Sequence, residues 1–186
     1  MKRFLVSETP LNNLKLVERL PILDERGFLT RMFCTQELNH IGWTKSISQI
    51  NHTLTKKRGT LRGLHFQKTP YSEMKLVSCI RGEILDFAVD LRKDSSSFLE
   101  WHAEILSSEN CKALLIPEGF AHGFQTLTDD CELLYLHSEP YVPHSESGIR
   151  FDDPALKIKL PIEISEISEK DKSYNLIDTQ FNGSLL

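Results

Sequence analysis

Residues 75–91, KLVSCIRGEILDFAVDL, contain two short apolar runs that meet at Gly82. These runs predict two β-strands, roughly 75–80 and 83–92, because apolar segments bounded by a turn residue are typical of consecutive strands. The second run alternates between apolar and polar residues only in part. We therefore expect a strand–turn–strand unit at this point of the chain.

The same pattern continues towards the C-terminus, where polar stretches such as KDSSS (93–97) and SSEN (107–110) separate further apolar runs. A short helix of one or two turns is expected at TQELNHIG (35–42), ended by Gly42. Many short strands at regular spacing predict an all-β fold, an antiparallel sandwich or barrel of the jelly-roll type with a few short helices. The further predicted strands cover roughly residues 101–107, 111–117, 120–128 and 131–138.

The 186 residues show no internal repeat and no low-complexity tract, and they are enough for one domain with a substantial core. We expect a single domain over 1–186, with a core barrel at about 45–140. Beyond Ser147 the chain becomes turn-rich and then polar. The segment 141–186 is therefore expected to form a C-terminal strap over the barrel.

The composition argues against several classes of partner. A formal net charge of −4 gives no general attraction to nucleic acid or to an anionic membrane, so an anionic ligand must be held by a local cluster of cations. The longest apolar runs, such as ALLI (113–116), are far too short to span a membrane. The N-terminal residues lack the long apolar stretch of a signal peptide.

The four cysteines are widely spaced and form no CxxC pair, which disfavours a zinc ribbon or a thioredoxin-like site. Three of them lie in or beside strand-like apolar runs. This placement favours buried free thiols in a reducing cytoplasm. The cysteines are Cys34, Cys79, Cys111 and Cys131.

The stretch LRGLHFQ (61–67) places a guanidinium and an imidazole in an otherwise apolar strand. Strict alternation would send Arg62 and His65 to opposite faces, unless Gly63 marks a bulge that brings them to one pocket. Burying an unpaired charge is costly, so these side chains need partners or a wet cavity. The alternative is that His65 is a core histidine with satisfied hydrogen bonds.

Lys75 and Asp86 also stand in apolar, strand-like segments and need partners or a wet cavity if they are buried. The alternative is that the two side chains form an ion pair or point to solvent. His122 stands between two small residues, and a Tyr135 hydroxyl inside the barrel would need a partner. A set of His, Tyr, Lys and Arg side chains suits proton chemistry on an anionic carbonyl substrate.

A metal site is not expected. Barrels of this type often hold a metal through His-x-His, but the corresponding segment here is His65-Phe66-Gln67. A histidine and a glutamine are poor ligands for a divalent transition metal.

Several longer motifs resemble the dTDP-4-dehydrorhamnose 3,5-epimerases, in order from DERGF at 24 to SEKD at 168. The resemblance implies a cupin-type double-stranded β-helix, usually a homodimer, with neither metal nor organic cofactor. It also implies an isomerase that converts dTDP-4-dehydro-6-deoxyglucose to dTDP-4-dehydrorhamnose for deoxysugar and surface polysaccharide synthesis. The other motifs are RGTLRGLHFQ, KLVSCIRGEILDFAVDLRKDSSSF, IPEGFAHGFQTL and LLYLHSEPYVPHSESGIRFDDPAL.

The resemblance assigns four catalytic positions. His65 matches the base, and Asp171 matches the carboxylate that pairs with it. Tyr135 matches the proton donor on the opposite face of the sugar. Lys75 matches a residue that lines the sugar and its carbonyl group.

The resemblance also assigns positions that bind the substrate. Arg26 and Arg62 match diphosphate ligands, and Gln49 and Asn51 match nucleotide contacts. His122 matches a residue that lines the sugar and its carbonyl group, and Tyr141 corresponds to an aromatic residue near the base. Glu146 matches another residue of the substrate site, and Lys170 directly precedes Asp171.

One position departs from the family pattern, because Arg31 stands where members commonly have a glutamate that contacts the nucleotide base. A carboxylate accepts hydrogen bonds and a guanidinium only donates them, so a CDP- or GDP-linked 4-keto sugar stays open. The alternative is that Arg31 points to solvent or pairs with a phosphate, while Gln49, Asn51 and stacking on Tyr141 hold the base. We take dTDP as the expected nucleotide.

Other functions remain open at this stage. The enzyme could invert only one centre, carbon 3 or carbon 5. A catalytically silent cupin that binds sugars or nucleotides is opposed by the presence of His65, Tyr135 and Asp171. A metal-dependent cupin dioxygenase or isomerase is opposed by Gln67.

Overall fold

A computed structural model describes residues 2–178, 181 and 183. Two β-sheets make up most of the fold. The first sheet has the strand order β1-β2-β10-β7-β12-β5. Its strands are β1 (Phe4–Glu8), β2 (Lys15–Arg19), β5 (Gln49–Thr55), β7 (Lys75–Arg81), β10 (Lys112–Ile116) and β12 (Cys131–His137).

The second sheet has the order β13-β6-β11-β8-β9, and β14 pairs in parallel with β6. All other pairings in the two sheets are antiparallel. The strands are β6 (Thr60–Gln67), β8 (Glu83–Asp90), β9 (Trp101–Ser107), β11 (Phe120–Thr126), β13 (Glu146–Gly148) and β14 (Glu166–Ile167).

Three smaller elements complete the described chain. A separate hairpin consists of β3 (Ile22–Asp24) and β4 (Gly27–Leu29), which pair with each other. The helices α1 (Thr35–Asn39) and α2 (Glu169–Ser173) are each five residues long. Neither helix within the described residues is long and apolar enough to cross a membrane.

The prediction of an all-β jelly roll with a few short helices is confirmed. The six strands predicted between residues 75 and 138 all form, and Gly82 adopts φ +77° between β7 and β8. A Cβ at Gly82 would approach the Thr128 hydroxyl and the Cys131 thiol within 3 Å, so this turn requires a glycine. The first sheet also includes residues 4–19, outside the range of about 45–140 expected for the core barrel.

An apolar core fills one end of the space between the sheets. Side chains from both sheets meet there, including Val77 and Leu133 from the first and Ile84 and Phe124 from the second. Cys79 and Cys131 belong to the same core, and all four cysteines are free thiols. Polar side chains from both sheets line a cavity next to this core.

Strand β6 departs from regular alternation at Gly63, which has φ +119°. Its pairing with β11 shifts register between His122 and Phe124, opposite this glycine. A Cβ on Gly63 would collide with the backbone of Gly123, so only glycine permits the approach of the two strands. The predicted bulge is confirmed, and it brings Arg62 and His65 to the same cavity.

Candidate active site

A cavity of about 210 Å³ lies between the two sheets and receives side chains from both. Four strands of the first and second sheets supply most of its wall. The residues of the first sheet are Asn51, Thr53, Lys75, Tyr135 and His137, and those of the second are Arg62, His65, His122 and Phe124.

His65 is paired with a carboxylate that arrives from the far end of the chain. Its Nε2 lies 2.7 Å from Oδ1 of Asp171, and Oδ2 of Asp171 accepts a hydrogen bond from the Gly63 N–H at 3.2 Å. Burial alone would raise the pKa of Asp171, but the hydrogen bond from His65, with help from the Gly63 N–H, holds it below its usual value. Asp171 therefore stays ionised and can orient the imidazole.

The short helix α2 places Asp171 beneath the strand that carries His65. Ser168 caps the helix, and its hydroxyl accepts a hydrogen bond from the Asp171 N–H at 3.0 Å. With Nε2 engaged by Asp171, Nδ1 is the imidazole atom of His65 left to act on a ligand. His65 is thus not a satisfied core histidine.

A second histidine–carboxylate pair lies in the same wall. Nε2 of His122 is 2.7 Å from Oδ1 of Asp86, and the Asp86 side chain is fully buried. Burial raises the pKa of Asp86, and the nearby His122 and Lys75 cations oppose this rise. The other carboxylate oxygen, Oδ2, has no hydrogen-bond partner among the described residues.

Lys75 is a buried cation held at the cavity wall. Its Nζ lies 2.9 Å from Oε1 of Glu73 and donates a longer hydrogen bond, 3.4 Å, to the His65 carbonyl. The alternative of a Lys75–Asp86 ion pair or of exposure to solvent is wrong, because each side chain is buried with a different partner. A fixed ammonium at this position can stabilise an anionic oxygen.

Tyr135 reaches the cavity from the sheet opposite His65. Its ring stands edge-on to His122, with centroids 6.1 Å apart, and stacks on His137 at 25°. Burial raises the pKa of Tyr135, and the Asp86 carboxylate raises it further, so the phenol stays protonated. Burial also lowers the pKa of His137 to about 4, with help from the Lys75 cation, which keeps this imidazole neutral.

Gln49, Tyr141 and Glu146 line neither cavity, but they form a hydrogen-bonded chain that ends on two lining residues, Asn51 and Lys170. We call this region the cavity mouth. Gln49 donates to Asn51 at 3.1 Å and accepts from the Tyr141 N–H at 3.0 Å. Oε2 of Glu146 accepts hydrogen bonds from the Tyr141 hydroxyl at 2.7 Å and from Nζ of Lys170 at 2.5 Å. These contacts tie the segment after β12 to helix α2.

A neighbouring cavity of about 490 Å³ shares Arg62 and His65 with the first and is also lined by Lys170. The Arg62 guanidinium makes no ion pair with any residue that the structure describes. Arg62 and Lys170 thus both lie in this wall with His65, and Lys170 is also paired with Glu146.

Arg26 and Arg31 neither line a cavity nor bond to a residue that lines one within a single chain. Arg26 lies on the β3–β4 hairpin with its side chain 90% exposed, and its guanidinium pairs with Asp24 at 2.6 Å. Arg31 pairs with Glu37 at 2.7 Å and is absent from both cavity walls. The hairpin pairs only with itself among the described residues, which explains why Arg26 is remote.

Gln67 serves the structure of the loops around the site. Its amide donates to the carbonyls of Tyr71 and Pro140 and to Glu73, and its oxygen accepts from the Val142 N–H at 2.7 Å. No cluster of three or more histidine, cysteine, aspartate or glutamate side chains with a metal-binding arrangement occurs in the part of the chain that is described.

Sequence reasoning missed several residues at the site. The missed residues of the wall are Thr53, Phe124 and His137, and Tyr174 lies beside His65. Alternation along β5 and β12 would have found Thr53 and His137, since they share a face with Asn51 and Tyr135. Tyr174 carries no comparable signal, because its position depends on the docking of α2.

A barrel with a histidine–aspartate pair facing a buried tyrosine across one cavity has the arrangement of acid and base groups that is typical of an epimerase. The sequence matches the profile of the dTDP-4-dehydrorhamnose 3,5-epimerase family over residues 8–179. The chain belongs to this family and is an isomerase.

The likeness extends over nearly the whole chain. The dTDP-4-dehydrorhamnose 3,5-epimerase of Methanothermobacter thermautotrophicus is 42% identical, over 94% of this chain and 95% of that protein. The crystal structure of the epimerase from Bacillus anthracis with TDP and PPi bound has a TM-score of 0.90 and 40% identity, covering 94% of this chain and 99% of that one. The dTDP-6-deoxy-D-glucose-3,5-epimerase of Legionella pneumophila, in complex with dTDP-4-keto-L-rhamnose, has a TM-score of 0.91 and 35% identity, covering 98% and 99%.

Proposed function

We propose that this chain inverts carbon 3 and carbon 5 of dTDP-4-dehydro-6-deoxyglucose and so forms dTDP-4-dehydrorhamnose for deoxysugar and surface polysaccharide synthesis. The observation that carries the proposal is the placement of the His65–Asp171 pair and Tyr135 on opposite walls of one cavity. Inversion requires that the proton leave one face of the carbon and return to the other, so acid and base must face each other.

His65 acts as the base in this scheme. A proton on a carbon next to the carbon-4 ketone is acidic, because the carbanion delocalises into an enolate. Nδ1 of His65 removes that proton, while Asp171 fixes the tautomer through Nε2 and stabilises the imidazolium that forms. Carbon 3 and carbon 5 both flank the ketone, so one base can serve both.

The enolate oxygen then needs a positive or hydrogen-bonding environment that is already in place. Lys75 and His122 line the cavity between the two proton-transfer groups, and each is held by a buried carboxylate. Because these groups are fixed before the reaction, they stabilise the developing charge without reorganisation.

Tyr135 returns a proton from the opposite face. Its raised pKa keeps the phenol protonated, as a proton donor must be before the reaction. Protonation by Tyr135 after abstraction by His65 inverts the carbon, whereas return of the proton from His65 restores the starting configuration.

In this scheme the nucleoside diphosphate binds to the cationic and polar groups at the cavity mouth. Arg62 and Lys170 lie where a diphosphate attached to the sugar would leave the cavity. Gln49, Asn51 and Tyr141 form one hydrogen-bonded group that can receive the nucleotide base. Glu146 connects this group to Lys170.

Proton NMR in deuterated water with dTDP- and CDP-linked 4-keto-6-deoxyglucose tests this function. We expect the signals of the protons on both carbon 3 and carbon 5 to disappear, with faster turnover of the dTDP sugar. Loss of only one signal would identify a single-centre epimerase. Binding without any exchange would identify a silent binding protein and overturn the proposal.

Comparing kcat/KM for the dTDP- and CDP-linked sugars in the wild type and in Arg31→Glu tests the role of Arg31. Because Arg31 pairs with Glu37 away from the cavity, we expect an unchanged preference for dTDP over CDP. A change of about 10-fold or more in the ratio of the two kcat/KM values would instead show that Arg31 reads the base.

We further propose that the protein is a homodimer located in the cytoplasm. The β3–β4 hairpin exposes the large apolar side chains Leu23, Phe28 and Leu29, which a second copy would cover. Such packing would also bring Arg26 towards the other copy, where it could bind the diphosphate. The free thiols suit the reducing cytoplasm.

Sedimentation equilibrium tests the dimer. We expect twice the mass of one chain for the wild type and a shift towards the monomer for Phe28→Asp. Ile105→Asp changes an apolar residue on β9 that is also exposed, outside the hairpin, and should leave the mass unchanged. A monomeric wild type would refute the dimer.

A further inference from the structure

Tyr174 lies directly behind the histidine–aspartate pair, although neither sequence motifs nor cavity walls include it. It forms the C-cap of α2, three residues after Asp171. Residues three apart on a helix lie on the same side, so the helix that delivers Asp171 also delivers the Tyr174 ring to β6. The ring stands edge-on to the His65 imidazole, with centroids 6.1 Å apart and an angle of 69° between the planes.

The other side of the Tyr174 ring rests on bare backbone. Gly148 of β13 pairs directly with His65 of β6, and a Cβ on Gly148 would overlap the Tyr174 ring. The absence of a side chain at Gly148 therefore lets the ring approach the strand pair at the level of His65. The ring fills the space between Gly148 and the imidazole.

The hydroxyl group makes little contact of its own. Its oxygen is buried and forms no hydrogen bond of standard geometry with a described residue, and the Lys170 ammonium is the partner within reach of it. Burial raises the pKa of Tyr174, while the Lys170 ammonium opposes that rise. The ring, and not the hydroxyl, makes the contacts that bear on His65.

The pairing with Asp171 alone leaves His65 with freedom to move. A single hydrogen bond fixes the distance from Nε2 to the carboxylate, but it allows the imidazole to rock about that bond. The His65 side chain is 34% exposed towards the cavities, so packing from the cavity side does not prevent this motion. Tyr174 lines neither cavity, so contact with its ring restricts the imidazole from outside the cavities.

We propose that Tyr174 is a positioning residue whose ring holds the His65 imidazole against Asp171 with Nδ1 facing the substrate cavity. This inference rests on the proposed role of His65 as the base. Asp171 sets the tautomer of the His65 imidazole, and Tyr174 sets the orientation of the imidazole plane. Loss of the ring should therefore slow proton abstraction and leave substrate binding nearly intact.

Tyr174→Ala and Tyr174→Phe separate the ring from the hydroxyl. We expect Tyr174→Ala to lower kcat about 10-fold, since small errors in the placement of a reacting group are costly. KM should change by less than about twofold, because the ring does not line the substrate cavity. Tyr174→Phe should keep kcat near that of the wild type. Equal losses in both variants would assign the effect to the hydroxyl and overturn the proposal.

Nitrogen-15 NMR of the free enzyme provides a readout that does not depend on turnover. We expect the His65 ring signals to report a proton on Nε2 in the wild type and in Tyr174→Phe, and to broaden in Tyr174→Ala. Unchanged signals in Tyr174→Ala would overturn the proposal even if kcat fell. If the wild type showed these signals but no epimerase activity, the proposed function would fail and the positioning of His65 would stand.

Two further variants guard against a general loss of structure. Tyr71→Ala removes a similar edge-on contact, to His144 at 5.8 Å and 87°, outside both cavities, and should leave kcat unchanged. If Tyr174→Ala does not fold, Tyr174→Leu retains apolar bulk without the aromatic edge and should show the same kcat and NMR effects. A Leu variant that matches the wild type in both would contradict the proposal.

Discussion

His65→Ala is expected to lower kcat by about 10³- to 10⁴-fold, which is the upper range of what a general base contributes. Among the cavity side chains, His65 has a carboxylate partner, Asp171, whose pKa is lowered and which therefore stays ionised. His122 is paired with Asp86, whose carboxyl has a raised pKa, and Lys75 is held by Glu73. The measurement is the rate of appearance of the inverted product, followed by proton NMR.

Deuterium exchange at carbon 3 and carbon 5 should fall together with kcat in His65→Ala, because both require abstraction by the same base. KM should change little, since Arg62 and the groups at the cavity mouth are retained. His102→Ala on β9, a histidine paired with Glu104 outside both cavities, is the control and should retain full activity. Persistent exchange in His65→Ala would show that another group removes the proton.

Tyr135→Phe should lower the rate of inversion by about 10²- to 10³-fold while proton abstraction continues. The phenol is the proton donor on the wall opposite His65, and phenylalanine keeps its ring contacts with His122 and His137. His65 can still remove the proton and return one to the same face. Solvent deuterium should therefore enter the substrate without inversion of the carbon.

This separation of exchange from inversion distinguishes a proton donor from a residue that only shapes the cavity. If Tyr135→Phe lost exchange and inversion equally, Tyr135 would act in abstraction or in binding, and its assignment as the opposite-face acid would be wrong. Tyr71→Phe, a tyrosine outside both cavities, is the matched control and should preserve both rates.

The sequence by itself determined the six strands between residues 75 and 138, because strand formation there depends on local patterns of apolar residues and turn residues. The runs around Gly82 and the glycine at position 63 predicted the strand pair β7–β8 and the bulge in β6, and both form. A bulge at Gly63 also predicted that Arg62 and His65 would share a cavity. For these features the deciding interactions lie within a few residues along the chain.

Family motifs carried the prediction of the site further than local patterns could. They pointed to Asp171 as the partner of His65, a contact between residues 106 positions apart. They also suggested Arg26 as a diphosphate ligand and placed Arg31 where the family commonly has a glutamate that contacts the nucleotide base. Within one chain both arginines pair with nearby carboxylates outside the cavities. A sequence motif gives the identity of a residue, but it does not specify which surface of the folded protein the side chain faces.

Tertiary structure alone decided the pairing of Asp86 with His122 and the contact of Tyr174 with His65. Asp86 meets His122 because β8 and β11 are neighbours in one sheet, and Tyr174 meets His65 because α2 docks on β6 beside the bare backbone of Gly148. Each contact joins side chains from distant segments, and its geometry depends on sheet register and on the space left by small residues. Those quantities arise only when the whole barrel has assembled, so the pattern within any single segment does not contain them.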